Sequence, residues 1–216
     1  IVTESTSATR AVLQATKTIP VVFAAAGDPV KTGLVDSLAR PGANATGVSI
    51  LSTELASKRL DFLHQLAPSA RRVVYLADLG NPGTRVALGP LQALAKTLGI
   101  KLETLDVRNP QGVDSALRSA AWKSADAVQM GGGIFFLGQG AKIAQDVRAS
   151  RRPAIFPYRE YHEFGVLMSY GADLKVVFRR AAYYVDRILK GAKPSELPVE
   201  QISKFDLVID LRAARS

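Results

Sequence analysis

Three hydroxyl residues, Ser5, Thr6 and Ser7, follow a strand-like Ile1-Val2 and precede the apolar positions Val12 and Leu13. Hydroxyls placed there cap a helix, and the free backbone N–H groups beside them form a site for a carboxylate or a phosphate. A plain N-cap is the competing reading. Asn81-Pro82-Gly83-Thr84 repeats the arrangement after a β-branched run at 73–77, with the proline where a first helical turn tolerates it. Asp28, between Gly27 and Pro29, is suited to accept a charge-assisted hydrogen bond from a ligand ammonium; otherwise it forms an Asx turn or caps a helix starting near Thr32. Phe135 offers a ring for stacking or for the core, beside Phe136. Arg159 either pairs with Glu160 or Glu163 or clamps a ligand carboxylate.

Other chemistry is excluded by type and spacing. The two histidines, His64 and His162, lie far apart with no GxSxG and no metal-spaced partner, so no metal is expected. Gly131-Gly132-Gly133 lacks the GK[ST] of a phosphate loop and the acidic partner of a dinucleotide fingerprint, so no cofactor is expected. Zero cysteines rule out disulfides and thiolate chemistry. Trp122 is read as packing a helix end.

The elements that would position these residues are legible. Strand-like runs at 21–23, 72–77, 101–106, 127–130, 154–156 and 166–169 alternate with helical patterns at 52–65, 82–98, 111–121 and 138–150, which predicts βαβ units, a parallel sheet and an α/β fold. The stretch 19–49 is the most informative, because a buried strand there stops at a Gly-Asp-Pro turn, where open α/β sheets hold small ligands. Residues 40–47 then make a second break. With 216 residues, 47% of them apolar, the chain is large enough for one domain or two small lobes. No apolar run approaches the ~20 residues needed to cross a bilayer. The net charge of +9 comes as scattered pairs, Lys58-Arg59, Arg71-Arg72, Arg151-Arg152 and Arg179-Arg180, which read as solvated surface and not as a nucleic-acid groove.

Three ordered segments, VVFAAAGDPVKTGLVDSLARPGANATG from Val21, LMSYGADL from Leu167 and YVDRILKGAKPSELPVEQ from Tyr184, resemble the substrate-binding proteins of ABC transporters, in the group that includes tryptophan and tyrosine binders. The resemblance runs almost end to end. It implies a two-lobed periplasmic-binding-protein type I fold, with residues 1–47 as the first part of lobe one, 48–170 as lobe two and 171–216 returning to lobe one. Residues 41–49 and 169–173 would be the hinge strands. It also implies a small organic ligand, an amino acid or an aromatic compound, held between the lobes by hinge closure and passed to a membrane permease, with no catalysis, no cofactor and no nucleic-acid partner. Helix N-termini at Ser5, Thr6 and Ser7 and at Asn81 and Thr84 would meet the acidic group, Asp28 an ammonium, and Tyr158, Tyr170 or Phe135 the ring. Relatives more often carry a polar or acidic residue where Gly131-Gly132-Gly133 stands, which leaves that lip a departure.

The resemblance further implies strands ahead of Ile1, any export signal among them, and thus a periplasmic or membrane-anchored extracytoplasmic location. Lobe one would then expose a sheet edge open to self-association. Two other classes stay open on the residues alone. One is an α/β enzyme acting on a carboxylated or phosphorylated metabolite, with Asp28 or Glu160 as base; the other is the ligand-sensing domain of a regulator.

Overall fold

The computed structural model describes residues 1–215. In chain order the elements are β1 (Val2–Thr3), α1 (Thr6–Ala15), β2 (Val21–Ala26), β3 (Ala45–Ser49), α2 (Ser52–Leu66), β4 (Arg72–Ala77), α3 (Pro82–Thr97), β5 (Lys101–Asp106), α4 (Pro110–Arg118), α5 (Ala120–Ser124), β6 (Ala127–Met130), α6 (Ile134–Gly138), α7 (Gly140–Ser150), β7 (Ala154–Phe156), β8 (Met168–Ala172), α8 (Leu174–Leu189), β9 (Glu200–Gln201) and β10 (Phe205–Ile209), with a 3-10 helix over Arg159–Phe164. The predicted α/β class is what forms.

The chain divides into two compact units. The first comprises Ile1–Thr53, Asn81–Val86 and Ala172–Phe205; the second comprises Glu54–Gly80, Ala87–Gly171 and Asp206–Ser216. One division falls inside α3, after Val86. Pro90, the interior proline of that helix, lacks the N–H that would otherwise reach the Val86 carbonyl.

In the first unit the sheet order is β1-β2-β3-β9, all parallel. β2 is buried on both faces, so its sequence is a continuous apolar run without alternation. Val22 and Ala24 pack under α8 with Val177, Ala181 and Tyr184. Val21 and Phe23 face the other way, against Val12 and Leu13 of α1. Gly47, read as part of a break, lies inside β3 opposite Phe23, and a side chain there would collide with the Phe23 backbone. β2 runs three residues beyond the expected 21–23, up to the Gly-Asp-Pro turn, and no helix starts near Thr32, where the chain makes turns.

The second unit holds a six-stranded sheet in the order β10-β8-β7-β6-β4-β5, in which the strands from β5 to β8 pair in parallel. One face carries Val73, Tyr75, Ile155 and Met168 under Leu60 and Leu63 of α2 and Leu91 of α3. α4 and α5 pack against β5 and β4. β5 is an edge strand whose Lys101, Glu103 and Asp106 are exposed. The helix expected over 111–121 forms as a pair, split at Ser119, whose hydroxyl caps α5 by accepting from Trp122 N–H at 3.1 Å; the helix expected over 138–150 forms as α7, with the unanticipated α6 ahead of it. The 197–211 stretch, expected wholly in the first lobe, gives β9 to the first sheet and β10 to the second.

Candidate functional site

Parallel strands end together, and the helices that follow begin at that same edge, so backbone N–H groups collect at the carboxyl end of a sheet. In the first unit this gathers most of the predicted residues. Ser5 is extended at φ −146° and caps α1, its hydroxyl accepting from Ala8 N–H at 3.2 Å. The plain-cap reading is therefore satisfied at Ser5. Thr6 is 1% exposed, and its hydroxyl accepts from Gly27 N–H at 3.0 Å, tying the start of α1 to the end of β2. Ser7 presents a buried hydroxyl with no hydrogen-bond partner among the described residues, as does Ser49 at the end of β3.

The start of α3 joins this group. Asn81 Oδ1 accepts from Gly83 N–H at 2.9 Å in an Asx turn, with Pro82 in the first helical position. A Cβ at Gly83 would stand 3.1 Å from Thr6 Oγ1 and 3.4 Å from Gly27 O, so the absence of a side chain lets α3 begin against α1 and β2. Thr84 lies half-buried in that first turn. Asp28 takes a left-handed backbone at φ 46° and is 9% exposed. Its carboxylate accepts from the hydroxyls of Ser52 and Thr53, at 3.0 and 2.5 Å, and from Thr53 N–H at 3.3 Å; Lys31 stands 3.8 Å away. Asp28 thus caps α2 through space and not a helix near Thr32. Three helix starts, α1, α2 and α3, meet one strand end, and their summed dipoles favour an anion there.

The second unit presents a different chemistry. Tyr158 is 5% exposed and lies parallel to Tyr161, with ring centroids 6.5 Å apart. Tyr170 packs edge-on to Phe62 at 5.0 Å. Phe135 tilts against the buried Phe136 at 5.2 Å. The three glycines have a steric explanation. A Cβ at Gly131 would lie 2.9 Å from the Leu76 carbonyl and 3.3 Å from the Tyr75 hydroxyl, and one at Gly132 would lie 3.1 Å from the Tyr158 hydroxyl. Gly133 adopts φ 141°. Arg159 pairs with Asp206 at 3.6 Å, and with neither of the two glutamates considered from sequence.

Sequence reasoning missed Arg59. Counted there among solvated basic pairs, it is 4% exposed. Burial pulls its pKa below the ordinary guanidinium value, opposed by Tyr75, Tyr158, Tyr170 and Tyr161 around it. The same burial raises the Tyr75 and Tyr161 phenols. A signal was available, because Arg59 interrupts the apolar face Leu55, Ala56, Leu60 and Leu63 of α2 at helical spacing. A separate cavity of about 570 Å³ in this unit, lined by Arg148, His162, Glu163, Asp210 and Arg212, lies beside the start of β8 and holds none of the predicted site residues. Among the described residues no three His, Asp or Glu side chains gather as a metal site would need.

This α/β architecture with ligand-edge helix starts defines a class, the type I periplasmic binding proteins, to which the similar solved structures belong. Residues 1–216 match the ABC transporter substrate binding protein family, and the chain belongs to it. It is 24% identical over 207 residues to a tyrosine-binding protein of Clostridioides difficile, a match covering 95% of this chain and 59% of that protein. The chain therefore spans less than two thirds of that relative. The structure of an ABC domain in complex with L-Trp from Streptococcus pneumoniae superposes with a TM-score of 0.89 at 25% identity, covering 99% of this chain and 72% of that one. A conserved domain protein from Vibrio cholerae gives a TM-score of 0.90 at 28% identity, covering 99% and 71%.

Proposed function

We propose that this protein is the solute-binding component of an ABC importer: it captures a small organic ligand, an amino acid or aromatic acid, and hands it unchanged to a membrane permease outside the cytoplasm. The observation that carries the reading is the junction of Thr6, Gly27 and Gly83, which brings the starts of α1 and α3 to the end of β2. Such a junction offers backbone N–H donors to acceptor groups of a bound ligand and needs no nucleophile or base. Ser5, Ser7, Asn81 and Thr84 surround it as candidate contacts, and Phe135, Tyr158 and Tyr170 are the candidate aromatic contacts of the second unit.

Family membership and the tryptophan and tyrosine ligands of relatives support this class of solute. The enzyme alternative is weakened, because Asp28, one of its two candidate bases, already accepts three hydrogen bonds as a helix cap. Calorimetric titration with L-tryptophan, L-tyrosine, benzoate and neutral sugars tests the proposal. Saturable binding of an amino or aromatic acid, recovered chemically intact, is the expected result. Turnover of the bound compound, or saturation by sugars alone, would overturn it.

A further inference from the structure

We propose that Arg59 is the ligand-selecting cation of the second unit, receiving the carboxylate of a small organic acid inside a wall of Tyr75, Tyr158, Tyr161 and Tyr170. The inference deepens the proposed solute-binding role and rests on it. It begins from a cost. A guanidinium taken out of water is strongly destabilising unless paired, and its five N–H donors all call for acceptors. Among the described residues Arg59 makes one hydrogen bond, from Nη1 to the Tyr170 carbonyl at 3.1 Å. Its Nε is buried with no partner, and none of the ion pairs among the described residues reaches it.

The surroundings are rich in donors, and the charges acting on Arg59 come from tyrosines and not from a carboxylate; Glu160, with one buried oxygen, acts on Tyr161. The Tyr161 hydroxyl is also buried without a partner. Gly131 and Gly132 leave room for the Tyr75 and Tyr158 hydroxyls, which any larger residue would displace. A guanidinium fork beside phenol O–H groups matches an acceptor-only, planar group of charge −1, which is a carboxylate. The aromatic walls suit an apolar or aromatic body attached to it. Arg59 is positioned for this by α2, whose Leu60 and Leu63 are packed in the core, and by its hydrogen bond to Tyr170 in the middle of β8. The competing role is a strut that only holds the Tyr170 carbonyl.

The test compares the full 216-residue chain with Arg59→Met and Arg59→Lys, titrating L-tryptophan against L-tryptophanamide and benzoate against benzamide, with circular dichroism to verify folding. The wild type is expected to prefer each acid over its amide by about ten- to a hundred-fold, the scale of a lost charge-assisted hydrogen bond. Folded Arg59→Met should bind acid and amide alike. Where that variant fails to fold, Arg59→Lys, which keeps the charge but not the fork, should fold and bind the acids several-fold more weakly. A folded variant that keeps the full acid preference, or a wild type that binds acid and amide equally, overturns the inference and leaves the solute-binding role standing. Benzoate binding that depends on Arg59, with no amino acid bound, supports the inference while overturning the amino-acid reading. No saturable binding of any probe by folded wild type overturns both.

Discussion

Asp28 and Thr53, twenty-five residues apart, form the tightest polar contact at the carboxyl edge of the first sheet: one carboxylate oxygen accepts both the hydroxyl, at 2.5 Å, and the backbone N–H of Thr53, at 3.3 Å. The Gly-Asp-Pro turn is therefore a remote cap that fixes where α2 begins. Asp28→Ala should destabilise the protein by about 2 kcal/mol, from the lost cap and from placing alanine at φ 46°. Asp28→Asn, which tolerates that backbone and keeps one acceptor, should cost about half as much. Urea midpoints at unchanged slope measure both. Equal losses would mean that the charge, and not the cap geometry, matters.

Gly171 is the position in β8 least able to accept a side chain. A Cβ there would fall well inside contact distance of the Pro157 carbonyl oxygen, a backbone atom that cannot swing away. Gly171→Ala should cost about 3 kcal/mol or more, the upper range for overpacking. Gly89→Ala makes the control, since its Cβ would meet nothing within 4 Å and the helical position favours alanine. A Gly171→Ala protein melting within a degree or two of wild type would show that β7 and β8 can separate freely.

The fold was legible wherever one physical signal dominated. β4, β5, β6 and β7 fall on the residues that β-branched runs and turn signals mark out, and α3 starts at Pro82 as the N-terminal proline rule requires. What was not legible depends on tertiary context. Residue type does not distinguish Arg59 from the solvated Lys58 next to it; helical spacing puts Arg59 on the apolar face with Leu55 and Leu63, and only the burial of that face by α2 takes the guanidinium into the core. Asp28 seeks a cap partner, and sequence supplies only its near neighbours, whereas the true partner is at the start of α2. β10 pairs in the second sheet because β8 offers an open edge, a long-range choice that alternation does not encode. At the candidate site, the helix starts at Ser5 and Asn81 were readable from capping chemistry, but the close approach of Gly83 to Thr6 and Gly27 was not.

Two neighbouring contacts on α8 should differ in weight. The Tyr184 hydroxyl donates to the Pro198 carbonyl at 2.6 Å from a buried ring, so Tyr184→Phe leaves that oxygen without its partner and should cost about 1 kcal/mol. Arg180 grips Glu200 with both nitrogens at 2.6–3.0 Å, yet both side chains are about a third exposed, and Arg180→Gln should cost no more than about 1 kcal/mol and less at high salt. Thermal melts in 0.05 and 1 M NaCl separate them: the Tyr184→Phe loss should not change with salt, and the Arg180→Gln loss should shrink. A salt-insensitive Arg180→Gln loss would mean that its stacking on Tyr183, 4.6 Å away, carries the effect.

His162 should give the protein an acid-sensitive stability near neutrality. Burial lowers its pKa, while donation to the Val166 backbone carbonyl and the charge of Asp210 oppose that shift, and its Nε2 lies 2.9 Å from the Ser169 hydroxyl. The unfolded chain, with an imidazole pKa near 6.5, binds a proton more readily than the folded one. Stability is therefore full above about pH 6.5 and declines as pH falls below it, until the lower folded pKa is passed. Asp210, held at about 2 by Arg212, titrates well below this window and does not contribute to it. Melting temperatures at pH 7.5, 6.5 and 5.5 should fall more for wild type than for His162→Gln, whose amide can still donate to Ser169. Parallel pH profiles for the two proteins would assign the acid sensitivity elsewhere.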